Sequence, residues 1–152
     1  MTLLAMACVL PSSDSGDTAA LGCTEIGCTN GLEIAFTLED PGHWTVLATL
    51  DGGNTLSCEA SLPLSGDDRC DAGMTLYLSG SELPADQQSI TGVYLETTSA
   101  SRVAIAIEED EGFYFQTFVD PGYEVLQPNG PECGPTCTYA SEVIEPEDMG
   151  GC

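Results

Sequence analysis

From Leu32 to Leu38 the chain changes character at every residue. Leu32, Ile34, Phe36 and Leu38 alternate with Glu33, Ala35 and Thr37. A period of two puts successive side chains on opposite faces of an extended strand, whereas a helix needs a period near 3.6. The pattern returns in Trp44, Val46, Ala48 and Leu50, and again in Leu56, Cys58, Ala60 and Leu62. Further strands are expected over 74–79, over 89–97 with Val93 and Leu95 facing in, over 102–108 and over 113–119. No stretch carries a ten-residue helical period. About seven strands at spacings of roughly 8–12 residues predict an antiparallel β-sandwich or small barrel, and the preferred form is an immunoglobulin-like sandwich.

The segments between the strands carry turn chemistry. Asp40-Pro41-Gly42 and Asp120-Pro121-Gly122 pre-set one corner with Pro and free the next with Gly, and Asp51-Gly52-Gly53-Asn54 is a hairpin signal. Residues 63–72 read as an acidic loop, and Leu83 to Gln88 as a helical turn or crossover loop. Residues 138–144 are expected to add a last edge strand. A chain of 152 residues suffices for one domain with a real core. The predicted organisation is a short signal remnant over 1–8, a flexible linker over 9–22, a β domain over 23–145 and a frayed tail over 146–152. Such a linker would hold the domain about 20 Å from its start.

Eight cysteines in a small chain without lysine argue for an oxidising compartment. Cys58 and Cys70 flank one loop, and a bridge between them is worth about 3 kcal/mol in the chain-entropy view. Cys23 and Cys28 lie at one end of the domain, Cys133 and Cys137 at the other. At least one bridge is expected to join the two ends, but four cysteines allow three connectivities. The rival reading makes these four a zinc site; their spacings lie near the loose end for structural zinc, which also needs reduced thiolates.

The charge is lopsided, with 25 acidic residues against two arginines (Arg69, Arg102) and one histidine, a net charge of -23. The acids run through both halves of the chain. Nucleic acid needs a basic footprint and is not expected as a partner. A solvated acidic coat keeps a protein soluble and monomeric, so a monomer is expected. No segment reaches the ~18 apolar residues of a membrane-spanning helix.

Residues Leu4-Ala5-Met6-Ala7-Cys8, followed by a Ser/Asp/Gly tract, resemble the lipobox of bacterial lipoproteins, in which the cysteine becomes the acylated first residue. No basic residue precedes Cys8 and the apolar run is short, so the precursor is expected to start upstream of Met1. Together with Cys23-Thr-Glu-Ile-Gly-Cys28 and Pro128-Asn-Gly-Pro-Glu-Cys-Gly-Pro-Thr-Cys137, this layout resembles the small, acidic, cysteine-containing lipoproteins of myxobacterial type. The resemblance covers about a quarter of the chain. It implies lipid attachment at Cys8 and an outer-membrane location, on the periplasmic or the cell-surface side, and carries no activity with it. Acylation of Cys8 would leave an odd thiol, for which Cys152 is the candidate; without acylation Cys8 and Cys152 could pair.

Catalytic signatures are sparse. His43, beside Trp44 at a strand start, is the only histidine and has no Gly-x-Ser-x-Gly element to support a triad. With 25 acids, some carboxylate pair will always stand at a glycosidase-like separation, so that signal is nearly empty. The aromatics read mostly as core. No cofactor is expected. Calcium is the small ligand the chain best suits, through Asp67, Asp68 and Asp71 in one loop or Glu108 to Glu111 on one hairpin tip, although neither has EF-hand spacing. The resulting expectation is an envelope-tethered, non-enzymatic module with a binding or structural role. The alternative is a calcium- or carbohydrate-binding adhesion domain.

Overall fold

A computed structural model describes residues 23, 25–110 and 112–145. The expectations for Cys8, the 9–22 linker, Glu111, the 146–152 tail and Cys152 lie outside the described residues. Ten strands follow in order: β1 (Gly31–Leu38), β2 (Gly42–Leu50), β3 (Asn54–Leu62), β4 (Arg69–Cys70), β5 (Met74–Ser79), β6 (Ser89–Leu95), β7 (Val103–Glu109), β8 (Gly112–Val119), β9 (Glu124–Leu126) and β10 (Cys137–Val143). They form two five-stranded sheets, ordered β5-β6-β1-β10-β9 and β4-β3-β2-β7-β8. Among the described residues only β1 and β10 run parallel; every other pairing is antiparallel.

The alternation read along the chain is the alternation of burial. Leu32, Ile34, Phe36, Leu38, Met74, Leu76, Ile90, Val93, Leu95, Ala140 and Ile144 face inward from the first sheet. Trp44, Val46, Ala48, Cys58, Ala60, Leu62, Val103, Ile105, Ile107, Phe115 and Val119 face them from the second. One continuous core between two sheets makes the molecule a β-sandwich. Trp44 is its largest fully buried side chain. Its ring meets Tyr114 edge-on at 5.0 Å between centroids, and its indole N–H donates to the Asp40 carbonyl at 3.0 Å, so the one polar atom of the ring is satisfied.

The expected count of about seven strands is corrected to ten. β4 and β9 have two and three residues, too few to show a period, and only their partners define them. The second correction concerns β10, which is not an edge strand. It lies between β1 and β9, and the Ile144 N–H extends its parallel pairing by donating to the Ala35 carbonyl at 2.8 Å. The segment before β6 holds a single 3-10 turn, Ala85–Gln87, inside a β5–β6 connection between neighbouring antiparallel strands. Gln88 closes it, accepting from the Leu64 N–H at 2.7 Å and donating to the Leu83 carbonyl at 2.8 Å.

Among the described residues three disulfides staple the sandwich. Cys58–Cys70 joins directly opposed residues of β3 and β4 across a sequence separation of 12. Cys23–Cys133 and Cys28–Cys137 span separations of 110 and 109 and tie the segment before β1 to the segment leading into β10. All four cysteines of the rival zinc reading are therefore oxidised in pairs. A bridged sulfur has no thiolate to offer a metal, so that reading is set aside.

Candidate functional site

The outer face of the first sheet carries a groove of about 320 Å³, lined by Cys28, Thr29, Glu33, Tyr77, Tyr94, Leu126 and Tyr139. Strand phase turns Glu33 outward between buried Leu32 and Ile34, and Tyr94 outward between buried Val93 and Leu95; Tyr77 follows buried Leu76 and Tyr139 precedes buried Ala140. Register then gathers them. Glu33 of β1 stands directly across from Tyr94 of β6. On β5, Thr75 faces Tyr94, so Tyr77 lies one step diagonal to it. On the other flank Tyr139 of β10 faces Gly31, which leaves it diagonal to Glu33. Side chains from neighbouring strands at direct or diagonal positions are within reach of one another when they are aromatic or long.

Gly31 allows the groove to form. A Cβ at this position would lie 2.5–2.6 Å from three atoms of the Tyr94 phenol, and the backbone φ of +149° is itself unfavourable for other residues. The end of the Tyr94 ring therefore rests on the bare backbone of β1, leaning towards Tyr139. Asn30 holds it there, since its carbonyl accepts the Tyr94 hydroxyl while its side-chain oxygen accepts the Thr138 N–H at 2.8 Å. The Tyr139 hydroxyl donates to Glu33 Oε2 at 2.7 Å. The Tyr77 hydroxyl bonds to none of the described residues, and Glu33 accepts from no other of them.

These contacts leave an electrostatic mark. The hydrogen bond to Glu33 is the main reason the Tyr139 phenol stands above its ordinary pKa, with burial adding to it. Burial raises Tyr77 first, and the Glu33 charge and Tyr94 add to it. Tyr94 is raised by burial and then by Glu96. All three phenols are therefore neutral around a single carboxylate. Neither arginine lines the groove: Arg69 lies on β4 of the other sheet, and Arg102 is engaged elsewhere.

A larger hollow, about 530 Å³, lies at one end of the second sheet between Thr49, Asp51, Ser101, Arg102, Phe118 and Asp120. Its polar groups are already paired. Arg102 donates through Nε and Nη2 to the two oxygens of Asp120 at 2.7 and 3.0 Å, and its guanidinium lies 5.7 Å from the Phe118 ring centre. Asp51 Oδ1 accepts from the Ser101 hydroxyl and N–H and from the Arg102 N–H, at 2.7, 2.9 and 3.0 Å. The Ser101 hydroxyl, then the Arg102 N–H, hold the Asp51 carboxyl below its ordinary pKa; Arg102 does the same for Asp120. Asp51 also turns the β2–β3 hairpin at a φ of 49°, and these bonds hold it there. The hollow is a tied corner in which each charged side chain is already held by a neighbour.

The residues singled out in the sequence fall elsewhere. Asp67 and Asp68 are exposed, and Asp71 Oδ2 accepts the Ser57 N–H at 2.9 Å beside the Cys58–Cys70 bridge. Among the described residues no three His, Cys, Asp or Glu side chains converge as a metal site requires. Asp110 at the β7–β8 tip accepts the His43 backbone N–H at 3.3 Å, not the ring. The His43 Nδ1 lies 3.2 Å from the Ser61 hydroxyl on an exposed surface and lines neither hollow. The expectation that the aromatics are mostly core is also corrected. Phe36, Trp44 and Phe115 are buried, but Tyr77, Phe113 and Phe118 are exposed, and Tyr94 and Tyr139 sit half-buried on an outer face. Strand phase does mark Tyr77 and Tyr94 as outward, between Leu76 and Leu78 and between Val93 and Leu95; nothing local tells that β5, β6, β1 and β10 are neighbours. No protein-family model, no curated protein and no solved structure matches the chain.

Proposed function

We propose that this chain is an exported module that works by binding rather than by catalysis, and that the tyrosine groove is its ligand surface. One observation carries the reading. Three phenol rings and a carboxylate from four adjacent strands converge in one concavity, with the Tyr77 hydroxyl and part of Glu33 unused by the described residues. Small-ligand sites are concave and mostly apolar, with a few placed polar groups, and this groove lies at the lower end of their usual size. Catalysis has less support. The ring of His43 meets Ser61 in the open, and the Asp110 carboxylate that would orient it binds backbone instead.

The wider reading places the module at the cell envelope, anchored through acylated Cys8 in the manner of the lipoproteins it resembles. Three disulfides in a small acidic domain favour an oxidising compartment. The fold relationship we attach to it is immunoglobulin-like: two packed sheets with the first and last strands adjacent. A carbohydrate-binding adhesion domain is the second reading, favoured by the same tyrosines, because a ring face can stack on a sugar.

The test is a ligand panel of neutral sugars, amines and short peptides, read by chemical-shift mapping on the wild type and on Tyr77→Ala. We expect at least one class to shift Tyr77, Tyr94 and Tyr139 together, and the variant to lose the response. Shifts that always map away from the groove would overturn the site. Non-reduced mass spectrometry of protein from its native envelope tests the anchor, which requires an acylated Cys8.

A further inference from the structure

We infer that the groove selects a ligand bearing a quaternary or alkylated ammonium group. This rests on the groove being the ligand site and concerns what fills it. The rim of a phenol is electropositive and its face electronegative, so a cation held over several faces is attracted without hydrogen bonding. Tyr77, Tyr94 and Tyr139 surround a single carboxylate, Glu33, and no Lys or Arg lines the groove to neutralise it. The whole chain has no lysine and a net charge of -23, so the field around the groove also attracts cations.

Hydrogen-bond capacity points the same way. A sugar offers many hydroxyls and needs both donors and acceptors around it. Here the Tyr94 hydroxyl is tied to the Asn30 carbonyl and the Tyr139 hydroxyl to Glu33. Two of the three phenol donors are thus committed inside the wall, while ring surface and negative charge stay available. A methylated ammonium uses those two features and has no hydroxyls of its own at the charged centre to satisfy. The same group occurs on free choline-like solutes and on lipid headgroups, and the groove chemistry is common to both.

The experiment is calorimetric titration of the oxidised protein with choline and with its neutral isostere 3,3-dimethylbutan-1-ol, which has the same shape without the charge. We expect choline to bind about tenfold or more tightly than the isostere. Glu33→Gln should weaken choline about tenfold, and Tyr77→Ala should abolish detectable binding. Tyr77→Phe should keep the preference for choline over the isostere, because the ring face is retained. All variants are checked by melting temperature, and Tyr77 on the edge strand β5 provides a pair that does not disturb the core. Phosphatidylcholine vesicles form the second arm: retention on them that choline competes away assigns the headgroup as source, and choline binding without retention assigns a free solute. Equal binding of choline and isostere, in the wild type or in Tyr77→Phe, would overturn the cation inference while leaving the groove as a binding site. A groove that answers to a neutral oligosaccharide and not to choline would do the same. No response to choline also overturns it, and the broader panel then decides separately whether the groove binds anything.

Discussion

The Arg102 corner and the tyrosine groove are both concave and both pair aromatic with charged side chains, yet they differ in what remains available. The corner is the larger, at about 530 against 320 Å³, and it holds a guanidinium, two carboxylates and a phenylalanine. Nearly all of that chemistry is turned on itself, as Asp120 holds Arg102 and Asp51 holds the backbone at Ser101 and Arg102. The groove is smaller but keeps ring faces, one phenol hydroxyl and a carboxylate without a cationic partner. Size alone would choose the corner. Counting which polar groups already have partners chooses the groove, because a ligand must better the interactions it displaces.

The largest expected effect concerns the two bridges that join the ends of the domain, of which Cys28–Cys137 lines the groove through Cys28. Cys23–Cys133 and Cys28–Cys137 run side by side, so each makes the other partly redundant. Removing Cys28–Cys137 alone, as Cys28→Ser with Cys137→Ser, opens only the small ring between the two bridges and should cost about 3 kcal/mol. Removing the second as well frees the loop of 110 residues and should cost a further ~5 kcal/mol. Denaturant midpoints of the single and double removals measure this, and two equal steps would show that the clamps act independently. The corner, far from these bridges in sequence, should keep its Arg102–Asp120 pair in the first of the two variants.

Next in size is Gly31→Ala, which drives a Cβ into the Tyr94 ring and should cost about 1–3 kcal/mol. At the corner, Gly52→Ala meets nothing within 4 Å and carries only the penalty of its φ of +69°, about 1 kcal/mol. Equal losses for the two would mean that Tyr94 is free to leave its place over β1. Smaller still is Tyr123→Phe. The Tyr123 hydroxyl is enclosed near Thr97 and the backbone of Ala100 without bonding geometry to either, so deleting it should raise stability by about 1 kcal/mol.

The smallest effect belongs to the exposed ion pair of the corner. Arg102→Ala should lower the melting temperature slightly, and added salt should erase the difference. Acid should erase it too. Asp120, the partner of the Arg102 guanidinium, has a folded-state value below the ordinary 3.8, so its contribution is present above that pH and is lost as the pH falls through the depressed folded value. The gap between wild type and Arg102→Ala should therefore hold above the ordinary 3.8 and close as the pH falls below the depressed folded-state value of Asp120. Persistence of the gap at low pH would mean that Arg102 acts through its contact with Phe118 instead.

The inward face of almost every long strand was legible in the sequence, because Leu32, Val46, Ala60 or Ile105 needs only its own neighbours to declare its side. The hairpin at Asp51-Gly52 was legible for the same reason. The acids at 67–71 drew attention through their density, yet Asp71 serves the Ser57 backbone. The groove was missed although Tyr77, Tyr94 and Glu33 all carry the outward phase. Their phase says only that they leave the core, and most residues that do so meet nothing but water.

Sequence alone determined the β character, the phase of each long strand, the acidic surface and the presence of cysteines at both ends of the domain. These are local or compositional properties, set by how a side chain alternates along an extended backbone and by which residues tolerate turns. The tertiary structure alone decided that β10 enters the first sheet parallel to β1 and that Tyr139 thereby joins Tyr94, Tyr77 and Glu33. Strand adjacency depends on pairing between segments more than a hundred residues apart, as the bridge separations of 109 and 110 show. Such pairing is chosen by the packing of the whole core, and no short stretch of sequence encodes it.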